Sequence, residues 1–391
     1  MRVLLVASRF PLPPWRGNQL RSVQWLEALT EHDRLLLCPP GRPAPGAGGV
    51  GADTVALPRG LLGGGAGLAA AVLGGRPAQE GVYVSGAARR RLAEEVAAWR
   101  PDVAVVQMVR CAWAADEIRR VAPKLPVLFD AVDCMALHYR RAAAATHPLL
   151  RPAYRLEAER CRRRETELVR RAALTVAVTR RDLEALGAGD RGRVVPVAAG
   201  APPDPARSSG GAPLVLLSGN LGYRPTVRAA LWFADRVWPE LRARVPGARW
   251  LLAGARPAPA VRRLASRPGV EVEGDVGDLA DRLRRATVAV APMDSGSGVA
   301  LKILEAMAAE VPVVADPWSA AGLEEASAVA VAGDPEHWVS TLAGLLTDPA
   351  AARRLGEQGH ASWQRHYAPE VVRRQLRDAV EAAAGGAAAP E

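Results

Sequence analysis

Lysine is almost missing from this 391-residue chain: of its 51 lysines and arginines, only Lys124 and Lys302 are lysines. Heavy Ala, Gly and Pro usage accompanies the arginine, a pattern of GC-rich coding, so arginine abundance alone does not imply a nucleic-acid partner. Cysteine is scarce as well. Cys38, Cys111, Cys134 and Cys161 form no CxxC pair and no Cys/His metal spacing, which excludes a disulfide scaffold or zinc module and suggests a reducing, cytoplasmic setting. Long apolar runs are absent. Val3–Ala7 is too short for a secretory leader, and Leu61–Gly75 is broken by glycine and falls short of the roughly 18 residues of a membrane span. A soluble protein is expected. What remains, 49% hydrophobic and 24% charged residues, is ordinary for globular protein and excludes a disordered or collagen-like chain. At about 150 residues per domain, the length allows two domains.

Short β-branched runs alternate with longer helical patterns throughout. Strands are predicted at Val3–Ala7, Arg34–Cys38, Val103–Met108, Pro126–Asp130, Leu174–Val178 and Arg193–Val197. A second series runs through Leu214–Leu217, Arg249–Ala253, Val270–Glu273, Val288–Ala291, Pro312–Ala315 and Ala328–Val331. Continuous apolar strands separated by amphipathic helices imply parallel sheets covered on both faces. The Pro/Gly/Ser-rich stretch 201–213 reads as a linker, giving domains at 1–205 and 206–360. Gly46–Gly51 fits GxGxxG by spacing, but it neither follows a strand directly nor opens a helix, as a dinucleotide fingerprint requires.

Charge is uneven. Residues 1–200 hold 30 basic and 19 acidic side chains, and residues 201–391 hold 21 and 22, so the net +10 belongs to the first half. The excess concentrates in 151–171, where Arg and Glu interleave as on a solvated helix. A peripheral contact with an acidic membrane is the alternative for that helix.

The most specific stretch begins at Asp294-Ser-Gly-Ser-Gly298 and continues through Lys302-Ile-Leu-Glu-Ala-Met307 to Pro312. A strand, a glycine turn and a helix start form an anion site, because unpaired N–H groups and the helix dipole face the ligand. Lys302 and Glu305 share a helix face. Ser297 and Glu305, if both helical, would lie about 12 Å apart, a span that suits a nucleotide sugar. A cation at the helix start is unfavourable without an anion, which favours diphosphate binding over a solvated lysine. Glu305, in an apolar helix, is assigned to ribose hydroxyls or else to a structural salt bridge.

This segment resembles the signature of GT-B glycosyltransferases of family 4, in which a glycine loop leads into a Leu-Glu-Ala-Met-Ala helix and a Pro-Val-Val strand. The resemblance extends over nearly the whole chain. Ser218–Pro225 is similar to the family's first donor-domain loop, Arg249–Arg256 to the strand beside the nucleobase, and Phe10–Gly17 to the acceptor-domain glycine loop. Residues 361–385 fit the final helix that crosses back to the first domain. The fold implied is α/β: two Rossmann-like, doubly wound parallel-sheet domains facing a cleft, the first for the acceptor and the second for the donor. The activity implied is retaining transfer of a sugar from an NDP-sugar to a small-molecule, lipid or glycan acceptor. A GT-B epimerase or a non-catalytic nucleotide-sugar-binding subunit are the alternatives.

By resemblance, Glu305 would hold the ribose. Ser297 stands where the family usually has its first glutamate, so the donor sugar would be met by N–H groups of Ser297, Gly298 and Val299. Donor contacts are further expected from Gly17, Gly219, Arg224, Gly254, Arg256 and Lys302. In the first domain, Asp133 or His138 is expected to orient the sugar or accept the acceptor's proton, although Asp133 is equally suited to capping the next helix. No cofactor, metal or nucleic acid is expected, since no Asp-x-Asp motif lies near the donor loop.

Overall fold

The computed structural model describes residues 1–14, 16–41, 50–58, 65–144, 146–200, 212–276, 279–293 and 299–386. The chain divides into two compact units, Met1–Val197 with Val372–Glu391, and Ala198–Val371. The first holds seven strands: β1 (Arg2–Val6), β2 (Asp33–Cys38), β3 (Asp53–Ala56), β4 (Val103–Gln107), β5 (Val127–Val132), β6 (Leu174–Ala177) and β7 (Gly192–Val194). The second holds six: β8 (Leu214–Ser218), β9 (Arg249–Gly254), β10 (Val270–Gly274), β11 (Val288–Ala291), β12 (Val313–Ala315) and β13 (Ala330–Val331). The sheet orders are β3-β2-β1-β4-β5-β6-β7 and β10-β9-β8-β11-β12-β13, with neighbouring strands parallel.

Both orders reverse direction beside their first strand, between β1 and β4 and between β8 and β11. In doubly wound sheets the crevice at the carboxyl ends of the strands, at this reversal, is where ligands bind. The central strands are buried on both faces because their side chains are apolar in both registers. In the second unit, Leu214, Leu216, Leu251, Ala253, Ala289 and Ala291 join one core. Their alternates Val215, Leu217, Trp250, Leu252, Val288 and Val290 join another, as the two-residue period of a strand requires.

Three local expectations change. The strand β3 and the helices Gly65–Leu73 and Ala78–Tyr83 occupy a stretch whose Gly, Pro and Ala content gave no regular pattern. β3 is an edge strand exposed over most of its length, so no apolar face marks it. Gly67 and Gly81 let the two short helices touch: a Cβ on Gly67 would lie 2.2 Å from the Gly81 carbonyl oxygen. The helix Arg151–Arg171 has the expected bounds but is not simply solvated, since Glu157, Arg164 and Glu165 are buried. The tail consists of two helices, Pro349–His366 and Pro369–Gly385, and the first unit takes the chain only from Val372. Most of the 201–213 stretch, and 46–49 of the glycine-rich segment, lie outside the described residues. Among the described residues no helix is long and apolar enough to cross a membrane.

Candidate functional site

In the second unit, the loops that follow β8, β9 and β10 are bonded to one another. Leu221 N–H donates to Ala255 O at 2.9 Å, Gly219 N–H to Ala253 O at 3.1 Å and Ala255 N–H to Gly219 O at 3.2 Å. Gly219 and Gly254 have φ of 119° and 153°, and a Cβ on Gly254 would lie 1.8 Å from the Gly219 oxygen. Only glycine allows this approach. Asp275, beyond β10, accepts the Arg256 N–H at 2.9 Å and donates its own N–H to Gly254 O at 2.8 Å. Arg256 and Asp275 both adopt left-handed φ, 49° and 53°, a cost tolerated where the surrounding bonds over-determine the loop.

Against this backbone lies Lys302. A Cβ on Gly219 would sit 3.8 Å from its Nζ, so the amine faces the β8 end at the sheet's reversal point. Among the described residues its hydrogen-bond partner is the Met293 sulfur at 3.6 Å. Met293 is itself fixed by donating its N–H to Asp316 Oδ2 at 3.0 Å. Asp316 also takes the Trp318 and Ser319 N–H groups, so one carboxylate ties the chain after β12 to the residue that packs on the lysine. The helix carrying Lys302 runs Leu301–Ala308, and its N-cap, Ala300, offers no side-chain cap. Burial holds the Lys302 amine down to about 8, with Glu305 opposing the shift. The same burial raises the Glu305 carboxyl, with Lys302 opposing. Among the described residues the two form no ion pair within 4.0 Å.

The structure therefore brings Gly219, Gly254, Lys302 and Glu305 to one side of the second sheet. Arg224 and Arg256 are exposed, Arg224 on the first turn of the helix Arg224–Arg236 and Arg256 on the loop after β9. Ser297 and Gly298 lie outside the described residues, and Val299 precedes the helix. The helix begins at Leu301, and the expected span from Ser297 to Glu305 starts outside the described residues. Asp275, Met293 and Asp316 were not singled out from sequence; only the position of Asp316 directly after a strand hints at it.

In the first unit, Gly17 opens the helix Gly17–Ala28, and a Cβ there would meet nothing within 4 Å. Below it, Asp130 on β5 is wholly buried and fully engaged. Arg21 Nε and Nη2 donate to it at 3.2 and 3.4 Å, Trp25 Nε1 at 2.7 Å and Gln107 Nε2 at 3.4 Å. The chain then turns through Val132, whose φ of 59° is a steric outlier for a β-branched residue. Half-buried Asp133 follows, then the helix Met135–Ala144 with His138.

The first amides of that helix are capped from elsewhere. Glu165 accepts from Met135 N–H at 2.7 Å and Ala136 N–H at 3.1 Å, and Asp182 from Cys134 N–H at 3.2 Å. Glu165 is thus one cap of this helix. Its carboxyl is pushed up to about 7, chiefly by burial, which these bonds oppose. The His138 imidazole is held below its usual value by burial and by Arg110 and Arg141. His360 is half-buried and closes the far end of the Lys302 helix, its Nδ1 3.1 Å from Ala308 O.

Two parallel doubly wound units of this kind are the GT-B fold, and solved structures of that fold cover the chain. Sucrose-phosphate synthase from Thermosynechococcus elongatus is 17% identical, with a TM-score of 0.71 over 97% of this chain and 98% of that one. Anabaena Alr3699/HepE in complex with UDP and glucose is 12% identical, with a TM-score of 0.64 over 97% and 99%. The α,α-trehalose 6-phosphate synthase from Burkholderia multivorans is 14% identical, with a TM-score of 0.65 over 99% and 100%. Residues 212–348, which include β8 to β13 and Lys302, match the family model described as Glycosyl transferases group 1. No curated protein sequence matches the chain. The fold is therefore that of GT-B glycosyltransferases, and the likeness in sequence to the group 1 family lies in the second unit.

Proposed function

We propose that this chain is a retaining glycosyltransferase that binds a nucleoside-diphosphate sugar on its second unit and transfers the sugar to a hydroxyl or amine acceptor engaged by the first. The observation that carries this reading is the Lys302 amine. It lies against the Gly219 backbone at the sheet's reversal point, with a thioether for a hydrogen-bond partner and its charge disfavoured by burial. A half-buried cation whose partner among the described residues is a thioether is stabilised by an anion, and the helix start beside it adds N–H groups and a favourable dipole. Diphosphate would sit there, with the ribose hydroxyls on Glu305 one turn along.

The chemistry asked of the site is stabilisation of a departing diphosphate. Lys302, the helix start and Arg224 or Arg256 supply positive charge for it, so the reaction is assigned to the chain's own groups and is expected to survive chelation. Asp133 and His138 are the candidates for orienting the sugar or taking the acceptor's proton. His138, neutral near pH 7 because its pKa is lowered, is suited to accept one.

UDP is the first probe, because the HepE structures of the same fold hold UDP and UDP-glucose. Titration of the full chain with UDP, followed by calorimetry and thermal shift, should give saturable binding that Lys302→Met removes. If UDP, GDP and dTDP at millimolar concentration all leave the wild-type chain unchanged, the donor-site assignment is wrong. Turnover of nucleotide sugar with and without sugar acceptors then separates transfer from epimerisation.

A further inference from the structure

Large exposed hydrophobic side chains are not scattered over this molecule. Of the ten among the described residues, seven fall between Leu68 and Leu156 in the first unit. The helix Gly65–Leu73 (GAGLAAAVL) carries no polar side chain, yet Leu68, Val72 and Leu73 are exposed, Leu73 by 88%. A helix apolar all round is normally buried. Leu149 at 83%, with Leu150 and Leu156, is exposed at the start of the helix Arg151–Arg171. The two parts are joined: Arg160, one turn after Leu156, donates from Nη2 to the Val72 carbonyl at 2.9 Å.

The border of this patch is basic. A cavity of about 540 Å³ opens beside the end of the apolar helix, at Gly74 and Gly75, and is lined by Arg76, Arg119, Arg160, Arg163 and Arg171. Asp116 and Glu167 are its carboxylates, and both already bond the buried Arg164. Arg163, although paired with Glu159 at 2.8 Å, is 73% exposed. Exposed leucines rimmed by arginines are the two components of interfacial membrane binding: apolar burial at the acyl boundary and attraction to anionic headgroups.

We propose that this face, formed by the helices Gly65–Leu73 and Ala78–Tyr83 and the first half of Arg151–Arg171, docks on an anionic lipid bilayer. Leu68, Leu73, Leu149 and Leu156 enter the headgroup boundary, and the arginines of the cavity take lipid phosphates. Charge complementarity selects this occupant over a second copy of the chain, whose same face would bring arginine against arginine. The inference stands apart from the donor-site assignment, since it involves none of those residues.

Co-sedimentation of the full chain with sonicated vesicles tests it. Vesicles of phosphatidylcholine with 30% phosphatidylglycerol should carry the protein down, and pure phosphatidylcholine vesicles should not. Binding should weaken as salt rises. The double variant Leu73→Gln/Leu156→Gln, which keeps every charge and alters only exposed positions, should bind about tenfold more weakly at an unchanged melting temperature. Arg76→Glu/Arg163→Glu should lose binding to the anionic vesicles. Absence of wild-type binding to anionic vesicles overturns the proposal. So does equal binding by the leucine variant, which would reduce the effect to unspecific attraction by a basic protein. A concentration-dependent dimer that the leucine variant abolishes would assign the face to a second copy instead.

Discussion

At the carboxyl ends of the first sheet, Asp130 is buried with Arg21, Trp25 and Gln107 all donating to it. On the second sheet, Lys302 is half-buried with a thioether at 3.6 Å, and Glu305 lies nearby without an ion pair. Both are charges taken out of water near the carboxyl ends of sheet strands. The first is satisfied within the protein and therefore acts as scaffold, fixing the helix Gly17–Ala28 against the sheet. The second has no carboxylate or carbonyl partner among the described residues, and a charge so placed favours a ligand. Position near the carboxyl ends of the strands is shared, so hydrogen bonding among the described residues separates the two.

The contrast breaks most sharply at Lys302. Lys302→Met should lower the transfer rate by about 10²–10³-fold, the scale of losing one charge-stabilising donor. Ligand-free, the same variant should melt higher than wild type, because it removes a disfavoured buried cation. Scanning calorimetry checks this, and a lower melting temperature would make Lys302 a structural group. Asp130→Ala should do the opposite. It strands Arg21 in the core and costs about 3–5 kcal/mol, which at about 2–4 °C per kcal/mol for a unit of this size is a large drop in melting temperature. UDP affinity in the second unit should survive below that transition.

Glu305→Gln keeps the size and loses the charge-assisted bonds to ribose, so KM for the donor should rise about tenfold with a smaller change in kcat. An unchanged KM would return Glu305 to a structural role. The pH profile is a finer test. The Lys302 amine of the free protein loses its proton near 8, so UDP affinity should fall as pH rises through 8. With the folded value depressed below 10.5, ligand-free stability should gain between about pH 8 and 10.5, and Lys302→Met should remove that gain. Gly17→Ala is expected to be the mildest. A methyl there meets nothing in the protein, so a loss of activity at constant melting temperature would report substrate against the backbone.

Much of this was legible in one dimension. Apolar runs such as Leu214–Leu217 and Val288–Ala291 can only be buried strands, since no face of them tolerates water, and twelve such segments gave all but one strand of both sheets. β3 escaped because an exposed edge strand carries no such run. Lys302 and Glu305 were conspicuous as charges in an apolar helix. Arg164 and Glu165 were not, because in an Arg/Glu-rich stretch the buried members look like the solvated ones. Glu165 holding the Met135 helix, and Asp316 holding Met293, join residues 30 and 23 positions apart, and local pattern does not encode such pairings. Sequence by itself determined where chain would be buried, because hydrophobicity is a property of each residue. Tertiary structure alone decided which charges found partners, because a partner is a property of two residues and of the fold between them.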